Sequence, residues 1–143
     1  MRLAALAFGA VVTALSGSSA SAAVRITGDN GGQIGPYLEQ LAAIRESGQQ
    51  VIIDGPCLSA CTLVLGVIPP ERICVTRRAR LGFHAAWHHA GNGRVATNHD
   101  GTQLLMAVYP QNVKKWIAKR GGLTREMKYL RGRELASMYR TCQ

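Results

Sequence analysis

The sequence predicts an α/β domain, a small parallel-sheet βαβ core followed by C-terminal helices. Three observations lead there. Val51-Ile52-Ile53 is a continuous β-branched run, the pattern of a strand buried on both faces. Before it, Ile34, Tyr37, Leu38, Leu41 and Ile44 fall on one helical face. A helix that separates two such strands lets them pair in parallel. The chain has 143 residues, 47% of them hydrophobic, which supplies one core and excludes both a multi-domain enzyme and a disordered chain.

The elements follow in order. Residues 1–22 carry Arg2, then an almost wholly apolar segment over 3–15, then Ala20-Ser21-Ala22. That succession predicts a secretory signal peptide with an A-x-A cleavage site, and so a periplasmic or secreted protein whose single domain spans 23–143. No other apolar run approaches the roughly 18 to 20 residues of a membrane-spanning helix. Residues 23–27 form a first short strand, and Gly28-Asp29-Asn30-Gly31-Gly32 forms a turn. The helix over 34–47 stops at Gly48. After the strand at 51–53, Gly55-Pro56 interrupts the chain, and 59–67 reads as a buried helix that Pro69-Pro70 terminates. Further strands are expected over 72–76 and 81–85. Residues 88–101, with Gly91, Asn92 and Gly93, read as a polar loop. The amphipathic stretch over 102–119 is a helix that Pro110 kinks or divides. Gly121-Gly122 ends it, and a short helix over 133–139 closes the chain.

Export governs how the cysteines are read. Cys57, Cys61, Cys74 and Cys142 all follow the signal segment, and an even count in an oxidising compartment suggests two disulfides. Three pairings are open. Cys57-x-x-x-Cys61 with distant Cys74 and Cys142 lacks the spacing of a zinc site. His84, His88, His89 and His99 gather in one stretch, but His84 lies on an expected strand, and Asp100 is the only carboxylate beside them. A solvated polar loop is the better reading, and neither metal nor other cofactor is expected.

Gly55-Pro56-Cys57-Leu58-Ser59-Ala60-Cys61-Thr62 lies where a buried strand turns into a helix. A serine there sits beside free backbone N–H groups, which is what acyl transfer requires: a nucleophile next to donors aimed at a developing oxyanion. By local pattern alone Ser59 is better read as a helix N-cap. Leu81-Gly82-Phe83-His84 places a histidine at the C-terminal end of a later strand, the edge where sheet sites gather. Alone, His84 also suits a half-buried imidazole bonded to a backbone carbonyl.

Taken together, Gly31-Gly32, Gly55-x-Cys57-x-Ser59-Ala60-Cys61 and Arg80-Leu81-Gly82-Phe83-His84 resemble the catalytic core of the Clp-protease and crotonase-like superfamily. The resemblance is to its exported bacterial branch, similar to the Clp proteolytic subunit, and spans about residues 28–86. It implies a Clp-protease/crotonase-type fold, with Ser59 as nucleophile and His84 as general base. It further implies an oxyanion hole from the backbone N–H groups of Ala60 and of Gly31 or Gly32. The activity implied is hydrolysis of a peptide or other acyl substrate through an acyl-enzyme. The Cys-x-Ser-x-Cys pattern of that branch implies a Cys57–Cys61 bond that clamps the serine turn, leaving Cys74 with Cys142 to tie the tail to the sheet. The family's third catalytic member is an Asp in the C-terminal region, and this chain has no Asp after Asp100. Glu126, Glu134 and Asp100 are the remaining acids near that part of the chain. An alternative therefore stands beside the hydrolase: a catalytically degenerate, disulfide-stabilised binding module on the same scaffold.

Charge bears on that alternative. Lys and Arg number 17 against 8 Asp and Glu, a formal net charge of +9. Arg72, Arg77, Arg78 and Arg80 form one cationic stretch, and Lys114, Lys115, Lys119, Arg120, Arg125, Lys128, Arg131 and Arg133 another. Such surfaces meet an anionic envelope polymer or lipid surface. Nucleic acid is not expected, because the few aromatic residues do not interleave with the charges and the chain is exported.

Overall fold

The computed structural model describes residues 22–143, so all of the expected signal peptide but Ala22 lies outside the described residues. Strand β1 (Val24–Ile26) leads through the Gly-Gly loop to helix α1 (Ile34–Glu46) and back to β2 (Val51–Ile53), which pairs with β1 in parallel. This is the βαβ unit the periodicity predicts. Gly55-Pro56 does not end strand structure. Pro56 begins a strand, β3 (Pro56–Leu58), where its missing N–H is tolerated at the first position. A 3₁₀ turn (Ser59–Leu63) runs directly into α2 (Val64–Val67), and Pro70–Arg72 forms another single turn before β4 (Ile73–Val75). Strand β5 is Arg80–Phe83, so His84 lies just past its end.

The stretch expected as a polar loop contains a hairpin, β6 (Trp87–His89) with β7 (Val95–Thr97). The two strands of three residues bury little, which leaves no alternation for a sequence pattern to detect. Pro110 divides the following stretch into α3 (His99–Val108) and α4 (Gln111–Ala118). Strand β8 (Lys128–Arg131), helix α5 (Gly132–Ala136) and strand β9 (Arg140–Thr141) complete the chain. Neither β8 nor β9 is predicted by the sequence pattern, since both strands are short and rich in cations.

The strands make two sheets plus the hairpin. One is parallel throughout, in the order β1-β2-β4-β9; the other has the order β3-β5-β8, with β3 and β5 parallel and β8 antiparallel. The protein is thus α/β, with helices and a parallel sheet. A core of Val51, Ile53, Leu63, Val64, Ile73, Leu81, Phe83, Ile117 and Leu130, each no more than 1% exposed, lies between these elements. Phe83 meets Tyr109 edge-on at 5.3 Å and Trp116 at 5.5 Å, locking β5 to α3 and α4. No helix among the described residues is long and apolar enough to cross a membrane.

Both disulfides are present. Cys57 bonds Cys61 across the start of the 3₁₀ turn, and Cys74 of β4 bonds Cys142 just beyond β9, at a sequence separation of 68. The second bond holds the C-terminus at the sheet edge, where the Cys142 N–H also donates to the Val75 carbonyl at 3.0 Å. At the same C-terminal end of the strands, Asp54 is 6% exposed and accepts from Arg25 at 2.8 Å, Arg78 at 2.5 Å and the Thr76 hydroxyl at 2.8 Å. Hydrogen bonds from Arg78 and Thr76 hold its carboxyl well below the usual carboxylate range.

Candidate active site

The turn out of β3 is tightly constrained. Leu58 is extended, with φ −113° and ψ 152°, and the next residue begins the 3₁₀ turn. Between them the chain reverses within one residue, and Ser59 takes φ 56°. It is the one non-glycine residue with positive φ among the described residues. A side chain in that region costs about 1–2 kcal/mol, a strain that tends to gather at functional turns. The N-cap expectation is not met: Leu58 holds the cap position, no side chain caps the turn, and Ser59 is the first residue within it.

Three supports fix the turn. The Cys57–Cys61 disulfide bridges it, with Cα atoms 5.3 Å apart. Tyr109, buried just past the end of α3, donates its hydroxyl to Thr62 Oγ1 at 2.6 Å, and Thr62 Oγ1 in turn donates to the Ser59 carbonyl at 2.6 Å. Burial pushes the Tyr109 phenol up to about 12, which keeps it a neutral donor. The third support is the Gly-Gly loop. Asp29 runs alongside β3, its N–H donating to the Pro56 carbonyl and its own carbonyl accepting from the Leu58 N–H, both at 2.8 Å. Gly31, at φ +80°, lies so close that a Cβ there would stand 2.5 Å from the Leu58 oxygen, 2.6 Å from Ser59 Cβ and 2.8 Å from the Ala60 nitrogen. Only glycine fits both the angle and the space.

Asp29 also organises the loop from within. Its Oδ1 accepts from the Gly31 N–H at 2.8 Å and from the Tyr37 hydroxyl at 2.5 Å. Desolvation, with the Asp29 carboxylate beside it, raises the Tyr37 phenol to about 12, so it remains a donor. The Gly31 N–H is therefore occupied, whereas no hydrogen bond engages the Gly32 N–H among the described residues. The Ala60 N–H lies in the first turn of its helix and has no intrahelical acceptor. The sequence singles out the glycines; it does not single out Asp29 or Tyr37, although an Asp two residues before a glycine is an Asx-turn signal.

These groups face a cleft of about 630 Å³ whose lining includes Gly31, Gly32, Ser59, Ala60 and His84. All five residues expected of the catalytic and oxyanion set thus line one cavity. His84 Nδ1 lies 2.7 Å from the Ala85 carbonyl oxygen. A carbonyl can only accept, so in the neutral ring Nδ1 carries the proton and Nε2 the lone pair. This is the carbonyl-bonded imidazole the sequence also allows, and it fixes the tautomer a general base needs. The peptides on both sides of Ala85 are anchored, the Ala85 N–H donating to the Thr124 carbonyl at 2.6 Å and the Ala86 N–H to Thr102 Oγ1 at 3.0 Å. No hydrogen bond joins Ser59 Oγ to His84 among the described residues, and no Asp or Glu lines the cleft.

The hairpin forms the opposite wall, through Trp87, His88 and His89. Trp87 is 49% exposed and meets His89 edge-on at 5.2 Å. His99 opens α3 outside the cleft lining. Among the described residues no three His, Cys, Asp or Glu side chains are grouped to hold a metal ion. No known family model matches the chain, and no curated protein matches it.

Proposed function

We propose that the protein is an exported serine hydrolase that cleaves peptide or other acyl bonds through an acyl-enzyme, on a scaffold of the Clp-protease/crotonase type. The observation that carries this reading is the Ser59 turn: a serine held at φ 56° between β3 and its helix, in one cleft with His84. A strand-to-helix turn of that kind exposes the hydroxyl and turns the amides that follow toward the same space. Ser59 Oγ attacks the acyl carbon and its proton passes to His84 Nε2. The tetrahedral oxyanion accepts from the Ala60 and Gly32 N–H groups, the Gly31 N–H being held by Asp29. The bond to the leaving group then breaks, the leaving group takes the proton from His84, and water hydrolyses the ester on Ser59.

In this reading the Ala85 carbonyl does the orienting work of the absent acid. It holds the Nδ1 proton but, being neutral, offers less to an imidazolium than a carboxylate does. A slower enzyme than an Asp-assisted one follows.

The second reading, a non-catalytic binding module, is favoured by one observation, the missing hydrogen bond between Ser59 and His84. Its basic surface would meet an anionic envelope polymer or lipid surface. A fluorophosphonate probe separates the two. Labelling of Ser59, located by mass spectrometry and lost in both S59A and H84A, is the expected result. A folded, disulfide-intact protein that takes no label refutes the hydrolase.

A further inference from the structure

The cleft does not end at His84. A second hollow of about 260 Å³ is lined by His84, Trp87, Val95, Arg125 and Met127, so His84 and Trp87 form the partition between the two spaces. Ser59 lines only the larger one. In acyl transfer the serine keeps the acyl half, while the base hands its proton to the departing half. The released half therefore departs past His84 Nε2, and the hollow bordered by His84 and Trp87 adjoins that path.

That hollow has a marked chemical character. Trp87, Val95 and Met127 give it apolar walls, and Arg125 supplies a guanidinium. Arg125 is exposed and joins none of the ion pairs found among the described residues. Neither space is lined by a carboxylate that could neutralise it. A planar guanidinium next to an apolar slot matches a carboxylate carried on a small leaving group. Resting on the hydrolase reading above, we propose that Arg125 is a specificity determinant selecting acyl bonds whose released half bears a carboxylate. Two kinds of substrate carry that chemistry: a peptide cut next to its free C-terminus, and one cut before an acidic residue.

The test uses blocked dipeptides sharing one acyl half and releasing glycine, glycinamide, aspartyl amide or lysyl amide. The disulfide-intact protein should show a kcat/KM at least roughly tenfold higher for the carboxylate-releasing substrates than for the glycinamide, the order of one charge-assisted hydrogen bond. Preference for glycine alone identifies the C-terminal carboxylate as the target; equal preference for aspartyl amide identifies the charge wherever it sits. R125A should abolish the ratio, and R125E should turn it toward lysyl amide, mainly through KM. R133E, which makes the same charge change at a residue lining neither space, should keep the wild-type ratio. Protection of Ser59 from the fluorophosphonate by acetylglycine, but not by acetylglycinamide, gives a binding readout that needs no turnover. Ser59 labelling without carboxylate preference or protection overturns the Arg125 assignment alone, and so does a ratio that R125A leaves intact or R133E abolishes. Failure to label Ser59 at all overturns the hydrolase and this assignment with it.

Discussion

Substituting Gly31 by Ala tests the geometry on which the site depends. The φ of +80° imposes about 1–2 kcal/mol on any side chain. The new Cβ would also stand 2.5–2.8 Å from atoms of Leu58, Ser59 and Ala60, two of them backbone. Backbone cannot rotate aside, so the overpacking adds about 1–3 kcal/mol. Reduced freedom of the unfolded chain offsets about 0.4–1 kcal/mol. The net loss is about 3 kcal/mol. Two sibling substitutions divide that figure into its parts. Gly122, at φ +78°, has nothing within 4 Å, so G122A feels the angle alone and should lose about 1 kcal/mol. Gly32 has no positive φ, and its Cβ would meet only the Tyr37 ring, at 3.2 Å, so G32A should remain within about 1 kcal/mol of the parent. Urea unfolding with the disulfides intact, followed by tryptophan fluorescence, reads all three. The Ser59 labelling rate should fall in G31A even under conditions where the variant is folded, because the collision displaces Ser59 and the Ala60 amide. A G31A stability loss no larger than that of G122A would refute the close approach of the glycine loop to the serine turn.

The two disulfides differ in loop length, and chain entropy assigns them unequal weights. C74S/C142S should cost roughly 4 kcal/mol and C57S/C61S roughly 2 kcal/mol, for sequence separations of 68 and 4, with the smaller loss accompanied by slower Ser59 labelling; equal losses in urea unfolding would contradict this. Asp54, whose carboxyl is held below its ordinary range, stabilises the fold fully above the unfolded value near about 3.9 and progressively less as pH falls through and below it. The melting temperatures of wild type and D54N should therefore differ most near neutrality and converge in acid, and parallel curves would contradict the assignment. D29N weakens the acceptor of both the Gly31 N–H and the Tyr37 hydroxyl, so Ser59 labelling should slow severalfold with little change in the far-UV spectrum. Nitrogen-15 NMR of histidine-labelled protein should show neutral His84 as the Nδ1–H tautomer; the Nε2–H tautomer would leave the base with no free lone pair toward the cleft.

The parts of the fold legible in the sequence are those that bury a periodic face. Helix α1 and strand β2 are announced by the spacing of Ile34, Leu38 and Leu41 and by the run Val51-Ile52-Ile53, and the division of α3 from α4 is announced by Pro110. Strands β6 and β7 are not, because Trp87, His88 and His89 are exposed and the two strands pair only with each other. Strand β8 is hidden for a different reason. In Lys128-Tyr129-Leu130-Arg131 one residue is buried, and pairing with β5, some fifty residues earlier in the chain, holds the rest in place. Partition into two sheets is equally invisible, since it depends on β3 bonding β5 rather than continuing β2, a choice made by tertiary packing and not by local composition.

The site divides along the same line. Side chains with distinctive chemistry, Ser59, His84 and the four cysteines, can be found in the sequence. What would let them act in the proposed hydrolase is backbone: the positive φ of Ser59, the Gly31 approach, the open amides of Gly32 and Ala60, and the Ala85 carbonyl on His84. None of these has a residue signature except the glycine. In the proposed hydrolase no acid of this chain orients His84, and the positional task of that acid falls to a peptide oxygen that every sequence contains. Its electrostatic task is not met, because a carbonyl dipole cannot match a carboxylate beside an imidazolium. Two consequences follow for a site built this way. Substitution of side chains around His84 should change its orientation less than in an acid-assisted enzyme, because the partner is fixed to the histidine's own strand end. Placing a carboxylate within reach of Nδ1 should raise the rate rather than merely restore it.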